Sequence, residues 1–435
     1  METRDWITIA VALLRNRALE VKSRWRTAGV VLLCTLLLQA CATESRRQAV
    51  PLDQQTKARP TGFPHGMRYF PQDAVSVTTF EQDFQSAWIF EQGALLAKLD
   101  TSPLPPAAYL AISGGGDDGA FGAGLLNGWT KSGTRPRFML VTGVSTGALI
   151  APFAFLGPDY DAKLKAFFTE VSLNDIALQR PLPAWFFGDS IADSTVLQKL
   201  VRQYLTKEIL DAIAAEHQKG RMLLIGTTNL DSRMPTVWNI TNIAATRSPK
   251  ALELVQKIII ASASIPGTFS PVMIDVETEA GVFQEMHVDG ATAAQMFVYP
   301  AAIKLEELAA ANAARRAIKL YIIRNARLDP EWAQVERRTL PIAMRAISTL
   351  TQYQGLGDLY QIYSVARRDG VDFNLAYVPP TFRTPHTTDF DSTYMRALFD
   401  VGYRLGEAGY PWAKAPPILL SGVDTSAPGG GAGKK

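Results

Sequence analysis

The chain has 435 residues, enough for one large domain or two modest ones. Of its residues 47% are hydrophobic and 20% are charged, which is typical of a globular protein. The formal net charge of +3 arises in residues 1–40, which hold six basic and three acidic side chains. The rest of the chain is neutral, so its charge gives no general reason to expect nucleic acid as a partner.

The N-terminus has the pattern of an export signal. A basic stretch ends at Arg26, and residues 28–40 are almost entirely apolar. This run suits the hydrophobic region of a signal peptide and is short for a membrane span. It ends in Leu-Gln-Ala-Cys, which resembles the lipobox of bacterial lipoproteins, with Cys41 as the lipidated residue. We therefore expect an exported lipoprotein, anchored in the outer membrane and facing the periplasm. The alternative is an uncleaved N-terminal anchor.

The sequence also predicts how the chain is divided. After a signal segment over 1–40, residues 41–76 are polar and contain four prolines, which predicts a tether. A hydrolase domain is expected over 77–425, followed by a disordered tail over 426–435. The cysteines, Cys34 and Cys41, both precede that domain, and the four histidines are scattered. We expect neither a metal site nor a cofactor, because no metal-binding spacing occurs.

Apolar runs alternate with helical patterns through the domain, which predicts an α/β fold. Strands are predicted over 108–113, 137–142, 222–229, 236–240, 319–324 and 373–378. Helices are predicted over 80–99, 250–264, 301–317 and 393–407, with further helices before residue 217 and before residue 368.

One turn in this pattern has the features of a catalytic site. Between a predicted buried strand and a helix of small apolar residues stands Gly143-Val144-Ser145-Thr146-Gly147. Gly-x-Ser-x-Gly in a strand-turn-helix setting is typical of a nucleophile elbow. Gly143 and Gly147 permit the tight turn, because neither carries a Cβ that would block it. Ser145 is therefore the candidate nucleophile, and the alternative is an ordinary turn.

A glycine-rich turn follows the first predicted strand, in the order Gly114-Gly115-Gly116-Asp117-Asp118-Gly119. A dinucleotide site would need an acid at the end of the next strand, and a phosphate-binding loop would need Gly-Lys-Ser/Thr; the chain has neither. Neighbouring parallel strands bring their turns to the same sheet edge. The glycine N–H groups are therefore suited to an oxyanion hole in front of Ser145. A plain packing turn is the alternative.

The candidate base follows a further predicted strand, which ends at Val288, in His287-Val288-Asp289-Gly290-Ala291. Asp289 is expected near the same carboxyl edge as Ser145. His287 precedes it by two residues, so on a strand it points to the same face about 6–7 Å away, one pleat deeper. His386, in a late loop, is the base of an alternative Ser-His-Asp esterase.

Together the three stretches resemble the patatin-like phospholipase family. Residues 114–119 are similar to its oxyanion motif, residues 143–147 to its nucleophile elbow, and residues 289–291 to its Asp-Gly-Gly/Ala motif. Residues 265–269 resemble its Ile-Pro segment. The resemblance covers about residues 108–300. It implies a three-layer α/β/α fold with a central, mostly parallel sheet. It also implies a lipid acyl hydrolase, a phospholipase or esterase, with a Ser145–Asp289 dyad.

One position departs from the family pattern. The family usually has an arginine just before its last glycine, where this chain has Asp118 after Asp117. The change disfavours a phospholipase more than an esterase. It also gives slight support to a non-catalytic lipoprotein that binds lipid or a partner, although the intact Ser145 and Asp289 favour hydrolysis of a lipid or ester.

Overall fold

The structure, a computed structural model, describes residues 46–97, 105–170, 178–179, 192–311, 316–386 and 391–417. The predicted signal segment, Cys41 and the predicted tail over 426–435 lie outside these residues. Within the described ranges, no helix has the length and apolar character needed to cross a membrane.

The strands alternate with helices along most of the chain. The strands are β1 (Arg59–Pro60), β2 (Arg68–Tyr69), β3 (Ala107–Ile112), β4 (Phe138–Val144), β5 (Leu178–Gln179), β6 (Ala192–Asp193), β7 (Met222–Asn229), β8 (Met234–Asn239), β9 (Val272–Thr278), β10 (Gly281–Asp289), β11 (Ile318–Arg324) and β12 (Asp372–Tyr377). The helices are α1 (Ala74–Leu96), α2 (Gly119–Lys131), α3 (Thr146–Leu156), α4 (Asp161–Thr169), α5 (Thr195–Tyr204), α6 (Lys207–His217), α7 (Ile240–Ala245), α8 (Ala251–Ser262), α9 (Leu305–Ala311), α10 (Thr339–Arg368) and α11 (Ser392–Glu407).

The centre of the large sheet is parallel. Strands β7, β4, β3, β11 and β12 lie side by side in that order, and each pair is parallel. Strands β10 and β8 each pair with β7 in the antiparallel sense. Strand β9 pairs with β10, and β1 pairs with β9. Parallel neighbours bring the turns after β3 and β4 to one edge, as the sequence predicted.

Helices cover both faces of the sheet. In β3, Leu110 and Ile112 belong to a core that includes residues of α2, α3, α8 and α11. Tyr109 and Ala111 point the other way, into a core shared with α1 and α10. Strands buried on both faces are continuously apolar, which explains the uninterrupted run in β3. The predicted α/β fold with a central, mostly parallel sheet is confirmed.

Residues 58–70 belong to the folded domain, so the predicted tether over 41–76 is wrong for this part. Strand β1 pairs with β9, β2 pairs with β8, and Phe63 and Met67 are buried. Strands of two residues are too short to show an alternating pattern. The prolines and polar residues around them therefore predicted a tether.

Two further differences concern single elements. The sequence analysis missed β9, which is half-buried and pairs with β10 in a hairpin. Helix α1 begins six residues before the predicted helix, because the Asp73 side chain caps it by accepting the Ser76 N–H at 2.8 Å.

Candidate active site

Ser145 lies between β4 and α3 in a strained turn. Its φ of +54° is left-handed, a conformation that serine rarely adopts. Its backbone N–H donates to Ser262 Oγ at 3.0 Å, and the Ser262 hydroxyl donates to the Gly226 carbonyl at 2.6 Å. The last residue of α8 therefore holds the elbow against β7. Sequence analysis assigned no role to Ser262.

The elbow requires small residues on both sides of the serine. A Cβ on Gly143 would lie 2.4 Å from the Gly147 carbonyl oxygen. A Cβ on Gly147 would lie 2.3 Å from the Ile112 carbonyl oxygen at the end of β3. Both glycines therefore occupy positions where backbone approaches too closely for a side chain.

Ser145 and Asp289 are hydrogen-bonded in the interior of the domain. Ser145 Oγ donates to Asp289 Oδ2 at 2.6 Å, and Ala291 N–H donates to Asp289 Oδ1 at 2.8 Å. The two residues are only 5% and 2% exposed. Burial raises the Asp289 pKa to about 7, although both hydrogen bonds act in the opposite direction. A carboxylate with this pKa is a much better proton acceptor near neutral pH than an exposed one.

Asp289 reaches this position on an antiparallel strand. Along one edge of β7, Gly226 pairs with Val144 and the adjacent Thr227 pairs with Asp289, while β8 occupies the other edge. Strand β10 therefore ends directly beside the end of β4, next to Ser145. A Cβ on Gly290 would lie 2.4 Å from the Gly226 carbonyl oxygen, so a small residue is needed just after the aspartate.

The glycine-rich turn lies directly beside the elbow. A Cβ on Gly114 would lie 2.9 Å from Ser145 Cβ, and one on Gly119 would lie 1.8 Å from Thr146 Cγ2. Thr146 Oγ1 donates to the Gly116 carbonyl at 2.7 Å, which joins the two turns. The structure thus brings together the glycine turn, the elbow and Asp289.

Asn325 supports the glycine turn, and sequence analysis missed it. This fully buried residue follows β11. Its Nδ2 donates to the Ser113 carbonyl at 3.0 Å, and its Oδ1 accepts the Gly122 N–H at 3.1 Å. A Cβ on Gly115 would lie 1.9 Å from the Asn325 carbonyl oxygen. The available signal was a polar residue directly after a predicted strand at the same sheet edge.

An apolar pocket opens beside Ser145. Its walls come from α3, α4, α5, α11 and the segment after α8, and its lining residues are Gly116, Ser145, Thr146, Leu149, Phe167, Phe168, Leu197, Leu200, Ala263, Ile265, Phe269 and Met395. A lining of this kind suits a hydrocarbon chain better than a polar group.

Residues 110–302 match the family model of the patatin-like phospholipases. This chain carries a patatin-like phospholipase domain. The match supports lipid acyl hydrolysis as the general activity of these residues.

Curated relatives match part of this chain. Two patatin-like phospholipase domain-containing proteins of Cryptococcus neoformans var. neoformans serotype D, from strains B-3501A and JEC21, are each 26% identical to this chain over 188 residues. The matched part is 42% of this chain and 20% and 19% of the relatives, so the chain spans about one fifth of their length. The crystal structure of VipD from Legionella pneumophila aligns with a TM-score of 0.30 and 13% identity, covering 70% of this chain and 66% of that chain.

His287 of the patatin-like domain is held in a separate buried network. Trp238 Nε1 donates to Thr227 Oγ1 at 2.8 Å, and Thr227 Oγ1 is hydrogen-bonded to His287 Nδ1 at 2.9 Å. His287 Nε2 then donates to Glu285 at 3.0 Å, and burial lowers the His287 pKa. Both ring nitrogens have partners other than Ser145, so His287 is poorly placed to act as its base.

His386 contacts the glycine turn of the patatin-like domain. Its Nε2 lies 2.5 Å from Asp117 Oδ2, whereas Ser145 donates to Asp289. The neighbouring Asp118, which stands where the family has an arginine, accepts the Tyr394 hydroxyl at 2.6 Å. Burial raises the Asp118 pKa to about 7. The two acids of the turn are therefore held by residues from the C-terminal part of the chain.

Proposed function

We propose that this chain hydrolyses carboxylic esters of lipids through an acyl-enzyme on Ser145. The observation that carries the proposal is the 2.6 Å hydrogen bond from Ser145 Oγ to the buried Asp289. The adjoining apolar pocket suits the acyl chain, and the family match supports a lipid substrate.

In the acylation step, Ser145 Oγ attacks the ester carbonyl carbon and its proton passes to Asp289 Oδ2. The N–H groups of Gly115 and Gly116 donate to the oxyanion of the tetrahedral intermediate. The bond from carbon to the leaving oxygen then breaks, and Asp289 gives its proton to the departing alcohol. Asp289 is again a carboxylate when the acyl-enzyme has formed.

Deacylation repeats the sequence with water. Asp289 accepts a proton from the water molecule that attacks the acyl carbonyl carbon, and the same N–H groups hold the oxyanion. The bond from the acyl carbon to Ser145 Oγ breaks, Oγ takes the proton back from Asp289, and a carboxylic acid leaves.

A serine-reactive phosphonate tests the nucleophile. We expect one adduct, on Ser145, and we expect Ser145→Ala to lower ester hydrolysis by at least about 10³-fold. The fold should persist, because the change removes one hydroxyl. Peptide mapping and turnover of a soluble ester are the measurements. An adduct on another serine would contradict the assignment, and lipid binding without turnover or adduct would favour the non-catalytic alternative.

We also propose that the domain is held at a membrane through a lipidated Cys41 after export. The support is the lipobox-like sequence before this cysteine and the apolar run that precedes it.

A further inference from the structure

Helix α10 is longer than the sheet strands on which it packs. It connects β11 to β12, which are parallel, so it runs from the carboxyl edge of the sheet back to the opposite edge. Its 30 residues extend about 45 Å. The seven residues of β11 extend only about 23 Å. The first half of α10 therefore stands at the carboxyl edge, where Ser145 lies, and the second half packs on the sheet through the buried Leu359 and Ala366.

The first half of α10 has an exposed apolar face. Ile342, Ile347, Leu350 and Tyr353 are 50%, 57%, 71% and 64% exposed. At about 100° per residue, they fall on one side of the helix. Trp332, which is 87% exposed, lies in the segment just before the helix. We call these five residues the α10 face. A cluster of exposed apolar side chains on one surface is typical of an interaction site.

The first half of α10 carries no acidic side chain. Residues 337–357 contain Arg337, Arg338 and Arg345 and no acidic residue. Glu331 and Glu336 precede this stretch, and Arg338 lies 3.5 Å from Glu336 in an exposed pair. An apolar face with Arg337 and Arg338 at its N-terminal end, and with Trp332 and Tyr353 at its margins, suits a lipid surface with anionic headgroups.

The same helix turns also line a polar pocket, to which Tyr353 contributes as well. Arg345, Ser348 and Gln352 share this pocket with Gly114 and Gly115 of the glycine turn. The α10 face and the proposed oxyanion hole are therefore connected through one short helical segment. A surface that bound the α10 face would lie beside the entrance to the glycine turn.

We propose that the α10 face docks on a lipid bilayer that contains anionic headgroups. Docking would bring the Ser145 site to the surface that holds a lipid substrate. This role of the docking rests on the proposed function.

A fluorescent label tests the docking without using activity. In the full chain with Cys34→Ser and Cys41→Ser, we place an environment-sensitive dye at Leu350→Cys. The matched control is Ile89→Cys, on α1, where the wild-type side chain is 63% exposed. Ile89 lies next to Phe90 and Ala87, which contact His217 and Gly220 just before β7, so it is at the opposite edge of the sheet from Ser145.

We expect the dye at position 350 to brighten and shift to the blue with phosphatidylglycerol-containing vesicles, and less with phosphatidylcholine alone. The dye at position 89 should not respond. Comparing two positions in one chain removes the influence of any attachment by the N-terminus. An equal response at both positions, or none at position 350, would overturn the proposal. A response at position 350 that depends on protein concentration without vesicles would replace the bilayer with a second copy.

Activity provides a second readout. Ile347→Glu with Leu350→Glu should lower hydrolysis of vesicle lipids by roughly tenfold or more, because two apolar side chains no longer insert. Hydrolysis of a soluble short-chain ester should stay within about twofold, and Ile89→Glu should change neither rate. Equal losses on both substrates would contradict docking. If the wild-type chain hydrolyses nothing, the proposed function fails, while the dye experiment still decides the docking.

Discussion

Asp289 combines burial with a proton-accepting role in the proposed mechanism, and this predicts a pH dependence. Its pKa is raised to about 7 by burial. A general base works in its deprotonated form, so kcat/KM should rise with pH through about 7 and level off above it. The measurement is the pH–rate profile on a soluble ester. A midpoint near 4 would mean that the base is not this buried carboxyl.

The variant Asp289→Asn should be slow and yet more stable at alkaline pH. Loss of the base should lower kcat by on the order of 10²–10⁴. Burial raises the pKa of Asp289 in the folded chain from its ordinary 3.8 to about 7. The stability that protonated Asp289 contributes below pH 4 is therefore lost as the pH rises through about 7. The neutral amide avoids this loss of about 2–4 kcal/mol. Its oxygen can accept from Ala291 while its NH₂ donates to Ser145.

Urea unfolding of wild type and Asp289→Asn at pH 8 and pH 4 measures the stability effect. The difference should be large at pH 8 and small at pH 4. His386→Ala is the control for the rate, because His386 contacts Asp117 and not the Ser145 hydroxyl. A rate loss in His386→Ala equal to that in Asp289→Asn would restore the Ser-His-Asp alternative.

Gly115 and Gly116 of the glycine-rich turn should respond differently to the same change. In Gly115→Ala the new Cβ would lie 1.9 Å from the Asn325 carbonyl oxygen, so the backbone must shift. We expect kcat to fall by about 10²-fold or more. Gly116 has φ +57° with open space around its Cβ position, so Gly116→Ala should mainly cost about 1 kcal/mol of stability. Kinetics and unfolding curves of both variants test this contrast. Equal losses of kcat in Gly115→Ala and Gly116→Ala would contradict this prediction.

At the scale of elements, one buried ion pair attaches β2 to the hairpin that carries Asp289. Arg68 Nη1 lies 2.5 Å from Glu285 Oε2, with both side chains almost fully buried. Arg68→Met should lower the free energy of unfolding by about 3–5 kcal/mol, because Glu285 is left charged and buried. Denaturant unfolding is the measurement.

A double variant and a surface variant serve as controls for Arg68→Met. Adding Glu285→Met to Arg68→Met should restore much of the stability, because no buried charge remains. The exposed pair between Arg47 and Asp275, 3.3 Å apart, provides the surface control. Arg47→Met should cost no more than about 1 kcal/mol. If Arg68→Met lost no more unfolding free energy than Arg47→Met, the ion pair between Arg68 and Glu285 would not be what holds β2.

At the scale of the whole molecule, the proposed lipid anchor predicts where the chain resides. Acyl chains contribute about 0.8 kcal/mol for each buried CH₂, so more than one chain gives stable attachment. Cys41→Ser should prevent lipidation and leave residues 28–40 uncleaved, so a larger precursor should remain at the inner membrane. Labelling with a fatty acid analogue, followed by fractionation, is the measurement. Equal labelling of wild type and variant, or none in either, would leave an ordinary N-terminal anchor.

Local patterns in the sequence were enough to place the turns that form the candidate site. A buried strand followed by glycine and a helix has a signature within about a dozen residues, as at β4 and Ser145. The same holds for β3 and its glycine turn. Their position at one edge follows from the parallel pairing of neighbouring strands. The family resemblance came from these same turns, and the match over residues 110–302 agrees with it.

Only the tertiary structure decided which groups meet and what their surroundings do to them. The hydrogen bond from Ser145 to Asp289 joins residues 144 positions apart, and Asn325 lies 212 positions from Ser113. The raised pKa of Asp289 comes from burial, which depends on every element packed around it. Strands β1 and β2 exist only as partners of β9 and β8. Pairing, burial and charge contact are properties of the folded chain, because they join segments whose distance in sequence carries no local pattern.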